Sequence, residues 1–122
     1  MKSGEKGLRR IISATRYSWQ GLRAAWRYEA AFRQEAMLAI IGFPLAAYLA
    51  RDAVDFLLLV VPLLLLMLAE LVNSAIEATI DRLGEEPDEL SGRAKDMGSA
   101  VVFMAILIAG LSWCTLIINL LL

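Results

Sequence analysis

Three carboxylates and an amide follow a run of hydrocarbon side chains in the middle of this sequence, between Glu70 and Asp81. At about 100° per residue, Glu70, Asn73, Glu77 and Asp81 fall within roughly 80° of one another, so a helix would carry them on one face. A charge at the centre of a membrane costs about 2.5 to 3.5 kcal/mol on insertion scales, so the two glutamates must face protein, metal or water. A structural hydrogen-bonding seam between helices is the alternative interpretation.

The composition limits the chemistry that these groups could perform. The chain has 122 residues, of which 59% are hydrophobic, and a mean hydropathy of +0.62. These values are typical of a single small membrane domain. The sequence contains no histidine and one cysteine, Cys114, which lies in an apolar run. It therefore excludes imidazole catalysis, His-ligated zinc and an intrachain disulfide, and leaves acid–base work to carboxylates.

The first 35 residues are predicted to form a helix on a membrane surface. Apolar residues recur at helical spacing from Leu8 to Glu35 with arginines between them, and Gly21 is a candidate bend. The start, Met1–Lys6, leads into this basic segment instead of an apolar stretch, so no signal peptide is expected. Because the basic segment continues into an apolar one, nucleic acid is not an expected partner.

Three spans are predicted to follow within one domain, 1–122, at about 30–50, about 55–82 and 97–121. Arg51–Asp55 is a short external loop, and 83–96 is the polar loop on the other side. Eleven of the twelve Lys and Arg residues fall on the side of the N-terminus and the 83–96 loop. The positive-inside rule makes that side cytoplasmic and the C-terminus periplasmic. The second span is longer than a hydrocarbon core of about 30 Å, so its inner end protrudes and Glu70 lies just inside the inner edge.

The polar residues of all these segments converge on the cytoplasmic interface. Carboxylates with lysine and arginine are the parts needed to hold a magnesium nucleotide and transfer its phosphoryl group. The GxxxxGK[ST] and GxGxxG loops are absent, so any nucleotide site is of another type. A base below the headgroups suits a lipid hydroxyl held at that depth while the nucleotide approaches from water. From the residues alone, ion or drug transport stays open beside lipid phosphorylation.

Two motifs, ELVNSAIE at 70–77 and ELSGRAKDMGSA at 89–100, give the sequence a resemblance to a known family. The segments YSW at 17–19, GLRAAW at 21–26 and EAAFRQE at 29–35 fit it as well. The chain resembles the bacterial integral-membrane diacylglycerol kinases over essentially its whole length. The resemblance implies an all-α homotrimer in the bacterial inner membrane, with a surface helix and three transmembrane helices in each subunit. It also implies transfer of the γ-phosphate of MgATP to diacylglycerol, giving phosphatidic acid, at active sites shared between subunits.

The resemblance also implies roles for individual residues. Glu70 resembles the general base on the lipid hydroxyl, Glu29 and Glu77 resemble the ligands of the nucleotide's Mg²⁺, and Asn73 supports the site. Nucleotide contacts are implied at Glu29 and Glu77 and at Arg10, Tyr17, Glu86, Pro87, Asp88, Lys95 and Asp96. Lipid contacts are implied at two sets of positions. The inner lipid set is Arg10, Ala14, Thr15, Arg16, Tyr17, Ser18, Trp19, Arg23, Ala24, Ala25, Trp26, Ala31, Phe32, Arg33, Gln34, Glu35, Glu70 and Ser99. The outer lipid set is Tyr48, Leu49, Ala50, Arg51, Phe56, Trp113, Cys114, Thr115, Leu116, Ile117 and Ile118.

Two other functions compete with this interpretation. An undecaprenol (polyprenol) kinase would share the glutamate motif, although LSGRAKDMGS at 90–99 resembles the diacylglycerol branch. A small proton-coupled multidrug transporter would use Glu70 as its carboxylate. Such a transporter would place the carboxylate near the membrane midplane, whereas Glu70 is predicted off-centre, and it would not need Lys95 and Asp96.

Overall fold

Four α-helices make up the part of the chain that the computed structural model describes, residues 6–84 and 86–122. They are α1 (Gly7–Tyr28), α2 (Ala30–Leu49), α3 (Ala53–Arg82) and α4 (Glu89–Leu121). The predicted all-α class is confirmed. Residues 1–5, where the surface region was predicted to start, and Glu85 of the predicted polar loop lie outside the described residues.

Helices α3 and α4 are long and apolar enough to cross a membrane, as judged by length and composition. In the described part of the chain, no other helix meets that test. Helix α2 carries Arg33, Gln34 and Glu35 in its first two turns, which lowers its mean hydropathy. The predicted span at about 30–50 therefore stays a prediction.

Helix α3 is the central element, because both α2 and α4 pack along it while α1 packs mainly on α2. One apolar cluster lies where α2, α3 and α4 meet and contains Ala46, Leu59, Val60 and Leu116. A second cluster of α3 and α4 contains Leu66, Ala69 and Ala105. These two clusters hold the helix that carries the polar face.

Pro62 lies inside α3 and removes one backbone donor from it. The carbonyl of Leu58, four residues earlier, loses its usual helical partner and accepts a hydrogen bond from Ser112 Oγ at 2.6 Å. The next carbonyl, that of Leu59, accepts from Trp113 Nε1 at 2.8 Å. An unpaired backbone group in hydrocarbon costs several kcal/mol, so Ser112 makes the proline tolerable in a span, and Trp113 adds a bond to the next carbonyl.

The N-terminal helix ends earlier than the sequence indicated. The helix predicted from Leu8 to Glu35 is interrupted at Glu29, which has extended backbone angles of φ −115° and ψ 105°, and α1 runs through Gly21. A side-chain cap stabilises this break: Arg33 Nη1 donates to the carbonyl oxygens of Trp26 at 2.7 Å and Arg27 at 3.2 Å. The guanidinium thereby satisfies two carbonyls in the last turn of α1.

The polar loop is also shorter than predicted, because α4 begins at Glu89 instead of Met97. Asp88 is the N-cap residue, and its Oδ2 accepts from the backbone N and the Oγ of Ser91, both at 3.0 Å. Lys95 and Asp96, which the sequence assigned to the loop, therefore stand on a helix and have fixed directions.

A polar network closes the other end of the bundle, where the predicted Arg51–Asp55 loop shortens because α3 begins at Ala53. Asp52 caps α3 by accepting from the Asp55 backbone N at 2.9 Å. Arg51 donates through Nε to Asp55 Oδ2 at 2.8 Å and through Nη2 to Asn119 Oδ1 at 3.1 Å. The hydrogen bond to Asp55 raises the pKa of Arg51. The network ties the loop before α3 to the end of α4.

Helices α3 and α4 approach closely at Gly98. A Cβ atom at this position would lie 2.6 Å from Asn73 Oδ1. Gly110 on the same helix has open space around it, with nothing within 4 Å of a Cβ. Glycine at 98 is thus required by contact with α3, whereas glycine at 110 is not.

We expect Gly98→Ala to lower the thermal stability of the protein in detergent, because the added methyl group must displace the Asn73 amide. Overpacking of this kind costs about 1 to 3 kcal/mol. The matched variant Gly110→Ala should unfold at the same temperature as the parent or higher, since alanine is about 0.5 to 1 kcal/mol better than glycine in a helix. Thermal unfolding followed by circular dichroism is the measurement, and equal transition temperatures for the two variants would contradict the contact.

Candidate functional site

The polar face of α3 becomes more exposed toward the end of the helix. Glu70 and Asn73 are buried, with exposed fractions of 6% and 9%, Glu77 is half-buried and Asp81 is exposed. Asn73 Nδ2 donates to Glu77 Oε1 at 3.2 Å. Asn73 therefore holds the Glu77 carboxylate, and its supporting role in the site stays a prediction.

Two carboxylates from outside α3 lie beside this face. Glu29 occupies the break between α1 and α2, and Glu35 lies on α2, and both are half-buried. Glu35 lies close enough to Glu70 for their charges to interact, and Glu70 interacts in the same way with Glu29 and Glu77. The site is therefore a cluster of four carboxylates drawn from three segments of the chain. The break at Glu29 places this carboxylate at the N-terminus of α2, where a helix stabilises negative charge.

Several buried polar atoms around the cluster have no hydrogen-bond partner within the described part of the chain. They are Glu35 Oε2, Asn73 Oδ1 and Ser74 Oγ. Most buried polar atoms in proteins are paired, so unpaired ones that gather in one place need an explanation. Their position next to Glu70 and Glu77 favours a binding site over a finished structural seam.

A cavity of about 990 Å³ opens between α1, α2 and α3. Met67, three residues before Glu70, lines it on the side of α3. Six residues of the inner lipid set share its wall, namely Trp19, Arg23, Ala24, Trp26, Phe32 and Arg33. Aromatic rings with guanidinium groups suit an amphiphile that has apolar chains and a polar head. The structure therefore gathers six of the eighteen residues of the inner lipid set around one space.

A second groove of about 670 Å³ follows the neighbouring face of α3 toward its exposed end. It runs between α1 and α3, and Glu29 lies in its wall. The residues that line it are Ser18, Gly21, Leu22, Ala24, Ala25, Tyr28, Glu29, Leu71, Ser74, Ala75 and Ala78. Most of them are small, so the groove exposes the backbone of both helices.

Lys95, one of the two basic residues of the expected nucleotide set, lies at the exposed end of the carboxylate row. Lys95 Nζ is 2.8 Å from Asp81 Oδ1, across the α3–α4 connection. Lys95 stands in the polar first turns of α4, outside the apolar part, and its hydrogen bond to Asp81 raises the pKa of its ammonium group. Asp96 follows it on the same helix and is exposed.

Other residues of the nucleotide set are less closely gathered. Arg10 is exposed and Tyr17 is half-buried, both on α1, and the Arg16 guanidinium carbon lies 5.3 Å from the centre of the Tyr17 ring. Glu86 and Pro87 are exposed, and Asp88 is engaged as the cap of α4. Ser99 of the inner lipid set is exposed one turn after Lys95.

The outer lipid set lies away from the carboxylate cluster. Phe56 stands fourteen residues before Glu70 on α3, about 21 Å along the helix. Leu49, Phe56, Trp113 and Leu116 belong to the apolar cluster at that end, and Arg51 belongs to the Asp55–Asn119 network. Within one chain these residues pack the bundle, while Tyr48, Cys114, Thr115, Ile117 and Ile118 are exposed.

Asp81 is the site residue that sequence reasoning missed, because only its place on the polar face of α3 was recognised. Its spacing of four residues from Glu77 was the signal that could have marked it. Sequence reasoning also missed Ser74, which lies in the wall of the second groove.

The donor set fits a metal ion that is shared with a nucleotide. In the part of the chain that the structure describes, no three His, Cys, Asp or Glu side chains form a ready metal cage. Mg²⁺ prefers oxygen ligands and is usually bound by one or two carboxylates together with substrate phosphates. Glu77, oriented by Asn73, and Glu29 at the head of α2 supply such carboxylates.

Buried carboxylates on a long apolar helix, beside a cavity of aromatic and basic side chains, define a small helical membrane protein with an acidic site. A family model described as prokaryotic diacylglycerol kinase matches residues 16–117. The chain is 51% identical over 117 residues to a diacylglycerol kinase of Escherichia coli strain K12, covering 96% of each chain. It is 49% identical over 107 residues to that of Haemophilus influenzae, covering 88% of this chain and 91% of the relative. It is 44% identical over 116 residues to that of Pseudomonas aeruginosa, covering 95% and 94%. The chain belongs to the prokaryotic diacylglycerol kinase family.

Proposed function

We propose that this protein is an ATP-dependent lipid kinase that phosphorylates diacylglycerol and releases phosphatidic acid and ADP. The observation that carries the proposal is the buried Glu70 carboxylate, one helical turn after Met67, which lines the cavity of about 990 Å³ together with aromatic and basic residues of α1 and α2. Pockets of roughly 300 to 1,000 Å³ accept ligands of lipid-headgroup size or larger. Family membership supports the same reaction.

Glu70 is the proposed general base. The oxygen of the lipid hydroxyl attacks the γ-phosphorus while the Glu70 carboxylate takes the hydroxyl proton. A new bond forms between that oxygen and the γ-phosphorus, and the bond from the γ-phosphorus to the β–γ bridging oxygen breaks. Burial makes Glu70 suitable, because a carboxylate with little access to water is a stronger base than an exposed one.

Glu29 and Glu77 are the proposed ligands of Mg²⁺, which, when bound with ATP, neutralises charge on the phosphates. Asn73 orients the Glu77 carboxylate through its hydrogen bond of 3.2 Å. Lys95 neutralises charge at the water-exposed end of the row, and Asp96, Arg10, Tyr17 and the Glu86–Asp88 connection complete the nucleotide contacts. Diacylglycerol occupies the large cavity, against the six residues of the inner lipid set that line it.

We also propose how the chain lies in the membrane. Helix α1 rests on the cytoplasmic surface of the bacterial inner membrane, α2 to α4 cross it within one domain, and the C-terminus is periplasmic. The basic residues of α1 and of the inner ends of α3 and α4 support this direction. Much of α4 is exposed in a single chain, including Phe103, Met104 and Leu107, which suits contact with lipid or with further copies in a homotrimer.

The test of the function is a transfer assay with the purified protein in mixed micelles. ATP labelled on the γ-phosphate should label added diacylglycerol, and ATP labelled on the α-phosphate should not. Labelling of undecaprenol in preference to diacylglycerol would replace the proposal with a polyprenol kinase. A protein that labels neither lipid, although folded, would overturn lipid phosphorylation altogether.

We expect Glu70→Gln to remove most turnover while leaving nucleotide binding nearly unchanged, because glutamine keeps the shape of the side chain and cannot take a proton. A general base typically contributes about 10²- to 10⁴-fold. Turnover and binding of a fluorescent ATP analogue would be measured on the same preparation. Near-normal turnover in this variant would remove Glu70 from the base role.

Glu29→Gln and Glu77→Gln should each raise the concentrations of Mg²⁺ and ATP needed for half-maximal rate, because each loses one oxygen ligand with its charge. Titrations of Mg²⁺ at fixed ATP provide the measurement. Glu89→Gln is the matched control, since Glu89 is an exposed glutamate of the same end of the molecule. Unchanged titration curves for the two variants would exclude these carboxylates from the metal site.

A shared site can be tested by mixing variants. Arg10 and Glu29 lie nineteen residues apart along α1, which corresponds to about 28 Å. This distance is longer than a triphosphate. A site that uses both residues therefore takes Arg10 from a neighbouring copy. Mixed trimers of Arg10→Met and Glu70→Gln should then regain activity, up to about a quarter of the sites at a 1:1 ratio by random assortment.

The control mixture is Glu70→Gln with Glu77→Gln, both changed on α3, which should regain nothing if one chain supplies both glutamates. Lack of recovery in the Arg10 mixture, with mixed trimers verified by affinity tags, would place Arg10 and Glu70 of each site in one chain.

A further inference from the structure

One ion pair joins two helices within the described residues, and it lies at the open end of the site. Lys95 Nζ of α4 approaches Asp81 Oδ1 of α3 to 2.8 Å. The side chains keep exposed fractions of 45% and 65%. An ion pair this exposed contributes little to folding stability, so stability is a poor explanation for its geometry.

The position of Asp81 relates the pair to the carboxylate row. Asp81 stands one helical turn after Glu77, on the same face of α3, and the charge of Glu77 also acts on Lys95. The ammonium group is thus held at the end of the row that faces water. A free lysine side chain samples many rotamers, and Asp81 restricts Lys95 to those that keep it there.

We propose that Asp81 is a positioning residue for phosphoryl transfer, which holds the Lys95 ammonium beside Glu77 where the nucleotide phosphates bind. This inference rests on the proposed kinase function and adds to it a residue that does not touch the substrate. An ammonium group has three N–H donors, and one bond to Asp81 leaves two for phosphate oxygens. Lys95 therefore does not have to leave Asp81 when the nucleotide enters.

The first test compares Asp81→Asn with the parent protein in micelles. We expect KM for MgATP to rise about three- to fivefold, the size of effect that an exposed ion pair can supply, with kcat changed less than about twofold. KM for diacylglycerol should stay the same. Asp81→Glu should recover most of the affinity, because it restores the carboxylate. Glu89→Gln, which removes a charge from the same end without touching Lys95, should leave all three constants unchanged.

The second test is a double-mutant cycle with Lys95→Met. If Asp81 acts through Lys95, adding Asp81→Asn to Lys95→Met produces no further rise in KM for MgATP. A purely structural role would lower activity by the same factor in both backgrounds and would overturn the inference. A decrease of KM in Asp81→Asn would overturn it as well, because Asp81 would then compete with the phosphates for Lys95.

The two proposals fail in different ways. If the parent protein phosphorylates diacylglycerol and Asp81→Asn has the same KM for MgATP as the parent, the kinase function stands and the positioning role is wrong. If the parent protein transfers no phosphate to lipid, the proposed function is wrong and the inference falls with it.

Discussion

The constraint on which the structure depends is the burial of carboxylate and amide groups in an otherwise apolar helix. Glu70 and Asn73 lie on α3 among leucine side chains, and buried polar groups are costly unless something nearby pairs with them. The surrounding helices meet at these groups, but within the described residues none of them brings an ion-pair partner to Glu70. Gly98 lets α4 approach the Asn73 amide, and the break before α2 brings the Glu29 carboxylate to the same place. Asn73 in turn holds Glu77, so the amide connects the buried end of the polar face to its half-buried part.

The two halves of the bundle differ in whether their polar groups have hydrogen-bond partners. In the half around Pro62, polar groups are hydrogen-bonded between segments of the chain. Ser112 and Trp113 donate to carbonyls of α3, and Arg51 donates to Asp55 and Asn119. This half behaves as a packed scaffold. In the other half, buried oxygens of Glu35, Asn73 and Ser74 are left without partners among the described residues. Because native proteins rarely leave such atoms unpaired, the contrast supports the proposal that one end of α3 is packed and the other binds ligands.

How far the sequence could predict this arrangement depends on the range of the interactions involved. The polar face of α3 follows from the helical period alone, so Glu70, Asn73 and Glu77 could be grouped correctly. The start of α4 at Glu89 is a local effect of the Asp88 cap, and the Asp88–Ser91 spacing carried that signal although the loop was predicted to be longer. The packing role of the outer lipid set depends on tertiary contacts such as that of Trp113 with Leu59. No pattern in a single sequence reports such contacts.

The gradient of exposure along α3 gives the proposed reaction its geometry. A lipid hydroxyl and a triphosphate have opposite preferences for water, so a site that joins them needs a base on the apolar side and neutralising charges on the wet side. Helix α3 provides this order within four turns, from buried Glu70 through half-buried Glu77 to exposed Asp81. The large cavity opens at the buried end beside Met67, and Lys95 is held at the exposed end. The two substrates can therefore reach one reacting centre from different phases, and neither needs to cross the environment that suits the other.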